Sequence, residues 1–167
     1  MRNISEQEFD DKYILYKDLI YKIAYTYVHN QEDTDDITQD VFVKYLQSDK
    51  EFDSLDYEKY WLIRVTINHA KNTVTSSWKK KVVFDNDYIS NSASNNDAKE
   101  KVDYYKAISS LPSKYKDVLI LFYYEDMKIN EIAHVLNLSS NIVKKRLERG
   151  REILKEEIEN GRFWKEN

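Results

Sequence analysis

The chain has 167 residues, 41 % hydrophobic and 34 % charged, with a net charge of −4, two glycines, one proline and no cysteine. The lack of cysteine excludes disulfides and thiolate metal sites, and so few turn-forming residues argue against an all-β fold. No apolar run reaches the roughly 18 residues of a membrane span and no signal-peptide core opens the chain, so an all-α, cytoplasmic protein is expected.

Residues 5–29 carry Phe9, Tyr13, Tyr16, Leu19, Ile20, Ile23 and Tyr27 at the spacing of an amphipathic helix. The stretch HNQED breaks it, and Asp33 or Thr34 is positioned to cap a second helix through DDITQDVFVKYLQ. In that helix Ile37, Val41 and Tyr45 form one row with Phe42 beside it. A third pattern runs from about Asp56 to Trp78, with Trp61, Val65 and Asn68 in one row and Leu62 and Ile63 widening its apolar side. Trp61 reads as a core anchor for this helix.

After Lys81 the stretch FDNDYISNSASNNDAKEK loses apolar periodicity and is rich in Asn, Asp and Ser, the composition of a flexible acidic linker. Helical patterning resumes near Val102, and Leu111-Pro112 marks a helix start. The expected organisation is two small helical domains, 1–81 and 102–167, joined by a linker over 82–101.

The stretch IAHVLNLSSNIVKKRLERG, from Ile132 to Gly150, has the parts of a helix-turn-helix. Ile132, Ala133 and Leu136 form an inner side, Asn137 tolerates the left-handed backbone of a tight corner, Leu138 plugs it and Ser139 is a good N-cap. Val143, Leu147, Gly150 and Leu154 then face the core, leaving Ser140, Asn141, Lys144, Lys145 and Glu148 outward. Such a helix offers its N-terminal polar residues to base edges and its cations to phosphates. A helical hairpin with a solvated basic face is the alternative.

Charge is segregated along the chain. Glu32, Asp33, Asp35, Asp36 and Asp40 make the interval 32–43 net −5. Arg64, Lys71, Lys79, Lys80 and Lys81 make 60–81 net +5, and Lys144, Lys145, Arg146, Arg149 and Arg151 against Glu148 make 139–151 net +4. One acidic and two basic islands imply at least two kinds of partner. An enzyme is disfavoured: His29, His69 and His134 are scattered, and no Gly-rich phosphate loop exists. No metal or cofactor is expected.

In this order, D.TQDVF, WL.RV..N.AKN and the LP…IA…L…V framework resemble an extracytoplasmic-function (ECF) sigma factor of the sigma-70 family over nearly the whole chain. The resemblance implies core RNA polymerase and promoter DNA as partners. It places Asp36, Gln39 and Asp40 on the motif that docks on the polymerase clamp helices. It brings the third helix to the −10 element, with Asn68 near the loop that captures a flipped-out base. An amide, being donor and acceptor together, suits a Watson–Crick edge. His69, Lys71 and Asn72 lie around it, and Arg64 and Lys79, Lys80 and Lys81 supply backbone charge. The helix-turn-helix, through Ser140, Asn141, Lys144, Lys145, Glu148 and Arg149, is assigned to the −35 element. The acidic linker resembles the segment that threads near the polymerase active site. Many members are held inactive by an anti-sigma factor, often at the membrane, and such a partner is implied here. Two departures bear on specificity: Ser139-Ser140-Asn141-Ile142 stands where many members have Pro-x-Gly-Thr, and Asn72 replaces a common Asp. A stand-alone helix-turn-helix regulator is the competing function.

Overall fold

The structure, a computed structural model, describes residues 1–78 and 106–160. It consists of helices, with no strand among the described residues. The chain divides into two compact units, Met1–Asp85 and Asn86–Asn167. Lys79, Lys80, Lys81, the linker over 82–101 and the resumption of helical pattern near Val102 lie outside the described residues.

The first unit packs three helices, α1 (Glu6–Val28), α2 (Gln31–Gln47) and α3 (Leu55–Trp78). Ser5 starts α1 through a reciprocal capping box: its hydroxyl accepts from Glu8 N–H at 3.1 Å and Glu8 accepts from Ser5 N–H at 2.8 Å. His29, at φ 59°, ends it in the left-handed conformation. The N-cap of α2 is Asn30, not Asp33 or Thr34. The Asn30 side chain accepts from Asp33 N–H at 2.8 Å, leaving Asp33 in the first helical turn, where its charge favours the helix N-terminus. The apolar face of α1 is buried as its spacing requires at Tyr16, Ile20, Ile23 and Tyr27, whereas Tyr13 is largely exposed. Ile37, Val41, Phe42 and Tyr45 of α2 are buried as expected.

The core stripe of α3 is rotated from the row read in the sequence. Leu62, Ile63, Thr66, Ile67 and Ala70 are buried, Trp61 and Val65 are half-buried and Asn68 is exposed. A row begun one residue early turns by about 100°, enough to take its members from the core to its edge. Trp61 sits at that edge with its ring centroid 5.7 Å from that of Phe52 and 6.4 Å from that of Tyr45.

Three helices also make up the described second unit, after a helical stretch at 106–109: α4 (Ser113–Tyr123), α5 (Ile129–Leu136) and α6 (Ser140–Glu159). Pro112 is the N-cap of α4, its fixed backbone suiting a helix entry. Val118, Leu119, Leu121, Ile132, Val143 and Leu147 are buried. Gly150 lets α6 approach α4 closely, since a Cβ there would lie 3.1 Å from Leu119 Cδ1 and 3.4 Å from Tyr115 Cβ.

Candidate functional site

The acidic island folds as the solvent side of α2. Its apolar row faces α1 and α3, which leaves Asp35, Asp36, Gln39 and Asp40 exposed. Asp36 and Asp40 are one turn apart, so they share a face with Gln39 beside them. Carboxylates and an amide on one exposed face suit a cationic partner surface.

The exposed side of α3 carries Arg64, Asn68, Asn72 and Thr75 at helical repeats of four, four and three, with Lys71 half-buried on the same side. This stripe offers a cation, two amides and a hydroxyl along one line. His69 does not belong to it. Its Nε2 is 2.9 Å from Asp40 Oδ2, which ties a candidate of one island to a candidate of another. Thr73 Oγ1 lies 3.3 Å from its Nδ1.

In the first turn of α3 lies a buried carboxylate that sequence reasoning missed. Glu58 is only 6 % exposed and accepts three bonds: from Lys12 Nζ at 2.7 Å, Tyr16 OH at 3.1 Å and Tyr45 OH at 2.9 Å. It therefore joins α1, α2 and α3 at one point. Burial, with Glu58 beside it, pushes the Tyr16 phenol above the ordinary range, and burial with the Glu58 hydrogen bond pushes Tyr45 up to about 12. The Arg2 guanidinium covers the Tyr45 ring at 4.3 Å. Asp56 and Lys59 flank Glu58, so nothing in its neighbourhood singles it out, and its partners are up to 46 residues away.

The helix-turn-helix has the corner read in the sequence. Asn137 is left-handed at φ 56° and ψ 49°, and Ser139 caps α6 by accepting from Ile142 N–H at 3.2 Å. Leu138 and Leu154 are half-buried, while Val143, Leu147 and Gly150 are buried. Asn141, Lys144, Lys145, Glu148 and Arg149 are exposed on the other side. No ion pair joins Lys144 to Glu148 among the described residues; Arg149 instead pairs with Glu152 at 3.0 Å. Ser140 departs from the outward reading. It is half-buried, and its hydroxyl donates to Asn130 Oδ1 across the corner at 3.1 Å. Asn130, ten residues earlier, carries no sequence signal that marks it as a partner of α6.

Residues 13–80 match the Sigma-70 region 2 family and residues 101–154 match Sigma-70 region 4. The RNA polymerase sigma factor SigV of Bacillus subtilis is 30 % identical over 140 residues, covering 84 % of each chain. The ECF RNA polymerase sigma factor SigW of the same organism is 26 % identical, covering 92 % of this chain and 90 % of its own. Among solved structures, the Bartonella quintana sigma factor RpoE, in complex with the anti-sigma factor NepR, has a TM-score of 0.72 at 18 % identity, covering 92 % of this chain and 98 % of that one. CnrH, in complex with the cytosolic domain of CnrY, has a TM-score of 0.69 at 19 % identity, covering 93 % and 90 %. With both sigma regions present in order and a relative matched over most of its length, the chain belongs to the ECF sigma factors of the sigma-70 family, the DNA-binding initiation factors that direct core RNA polymerase to promoters and assist their opening.

Proposed function

We propose that the three candidate faces divide this work between two modules, residues 1–81 and 102–167, tethered by 82–101. In this reading Asp36, Gln39 and Asp40 on α2 dock on core polymerase. Asn68 and Asn72, with Arg64 and Lys71 and the adjoining Lys79, Lys80 and Lys81, hold the opened −10 strand. Asn141, Lys144, Lys145 and Arg149 meet the −35 element, Ser140 and Glu148 flanking them. Tethering raises the effective concentration of the second contact once the first has formed, so each can be individually weak.

The observation that carries the reading is the separation of charge onto exposed faces of α2, α3 and α6, with each helix's apolar side buried. The match to region 2 over 13–80 favours it over a stand-alone helix-turn-helix regulator, which has no use for a polymerase-docking domain. No covalent chemistry is assigned to the protein. It works in the cytoplasm; among the described residues no helix is long and apolar enough to cross a membrane. An anti-sigma factor is a further proposed partner, because the structural relatives RpoE and CnrH were solved with NepR and CnrY bound.

Run-off transcription with purified core polymerase, followed by start-site mapping, tests the function directly. Promoter-specific transcripts that require the chain are expected; binding to a promoter without polymerase, and no transcript with it, favours the stand-alone regulator. Within that assay Asn68→Ala should leave polymerase binding intact and reduce open-complex formation by roughly tenfold or more, the scale of losing one good base contact. Normal promoter melting by that variant removes Asn68 from its assigned role.

A further inference from the structure

We propose that the Asp40–His69 bond is a clasp, closed in the free protein and opened when polymerase takes Asp40, so that His69 becomes available to promoter DNA only in the assembled holoenzyme. The inference rests on the reading of α2 as the docking helix.

Geometry makes the two roles of His69 exclusive. Residue 69 lies about 100° around α3 from Asn68, off the stripe of Arg64, Asn68, Asn72 and Thr75. Its side chain is only 21 % exposed and faces α2, where Asp40 is 57 % exposed. A carboxylate only accepts, so Nε2 must carry the proton in the 2.9 Å bond to Asp40 Oδ2. On the other side of the ring Nδ1 faces Thr73 Oγ1 at 3.3 Å, and that hydroxyl lies 3.0 Å from the carbonyl oxygen of His69 itself. In this tautomer Nδ1 only accepts, and the one Thr73 proton is directed to that carbonyl or shared with Nδ1, so the single ring donor, Nε2–H, is spent on Asp40. In this rotamer the imidazole has no donor left for a phosphate or a base.

The same bond occupies one carboxylate oxygen of Asp40. A cation of the polymerase that bonds Asp40 must compete with the imidazole or share the carboxylate with it. Competition makes docking and release of His69 two sides of one equilibrium, and such coupling is reciprocal: whatever polymerase contributes to freeing His69, DNA held by His69 returns to docking. The size is modest. An exposed pair of this kind is worth enough to shift an affinity about two- to fivefold.

The test uses the full chain, core polymerase and a fluorescent non-template strand from the promoter mapped by run-off transcription. Core affinity and strand binding by the holoenzyme are measured for His69→Ala, His69→Gln and Asp40→Asn. His69→Ala should bind core polymerase about two- to fivefold more tightly, because Asp40 no longer has an internal partner, while the holoenzyme binds the strand more weakly. His69→Gln, whose amide can place a donor near Nε2, should keep core affinity within about twofold of the parent. A merely structural role for His69 cannot raise core affinity. Unchanged or weaker core binding by His69→Ala overturns the clasp, and undiminished strand binding overturns the release to DNA. If Asp40→Asn leaves core affinity unchanged, it is the assignment of α2 as the docking face that fails.

Discussion

The two units hold their helices by different means. In the first, a buried carboxylate draws α1, α2 and α3 together, and every donor on Glu58 comes from another helix: Lys12 and Tyr16 from α1, Tyr45 from α2. In the second, charge is buried too, at Lys116 and Asp117 of α4, but the corner that orients α6 is local. A left-handed Asn137, a capping Ser139 and the close approach at Gly150 set its direction within a stretch of fourteen residues. A long-range knot makes three helices one body and so fixes the spacing of the α2 and α3 faces. A local corner sets the direction of one helix and leaves its exposed side free to vary, which suits a surface whose preference differs between members of a family.

The largest expected effect comes from cutting the knot. Glu58→Ala strands the Lys12 ammonium and two phenols, a loss of about 3–5 kcal/mol for breaking a buried ion pair by removing one partner. Denaturation followed by methyl resonances should show Ile20 and Ile63 melting earlier while Ile120 and Ile132 keep their midpoint. Equal losses at all four would mean that the two cores are not separately held.

Alkaline pH should open the same gap more gently. Tyr16 and Tyr45 are held protonated above the ordinary phenol value, Tyr45 up to about 12, so the folded first unit binds more protons than its unfolded chain once pH passes 10. Their stabilisation is complete below pH 10 and is lost as pH rises toward the folded values, at up to about 1.4 kcal/mol per phenol per pH unit. Among the described residues of the second unit, Tyr124 is pushed up to about 12, by burial alone. Denaturation at pH 9, 10 and 11 should therefore show a steeper loss at Ile20 and Ile63 than at Ile120 and Ile132. Equal slopes would leave the Glu58 knot without its distinguishing pH signature.

This contrast also explains what could be read from the sequence. The corner was legible because its signals are neighbours: Asn137, Leu138 and Ser139 each announce a backbone need at their own position. The helices and the exposed acidic and basic faces were legible from period and charge. The Glu58 knot was not, because Lys12, Tyr16 and Tyr45 come together only after α1, α2 and α3 have packed. The same reason hid the Asp40–His69 bond and the Ser140–Asn130 bond. The α3 stripe was misread by a single residue, because Trp61, the largest apolar side chain, drew the row toward itself although it lies at the core's edge.

The smallest effect tests the local side of the comparison. Ser139→Ala removes the hydroxyl that accepts from Ile142 N–H and should cost about 1 kcal/mol, seen as a lower midpoint at Ile132 with Ile20 unmoved. Ser139→Asp restores an acceptor and adds a charge that the N-terminus of α6 favours, so stability should return to the parental level or rise slightly. The same carboxylate would stand at the end of the helix assigned to DNA, where it repels phosphate. Stability and −35 binding should then move in opposite directions in one variant, which a long-range knot cannot produce by a change at its own position. If Ser139→Asp binds −35 DNA as well as the parent, the N-terminus of α6 is not held against the duplex, and the corner serves packing alone.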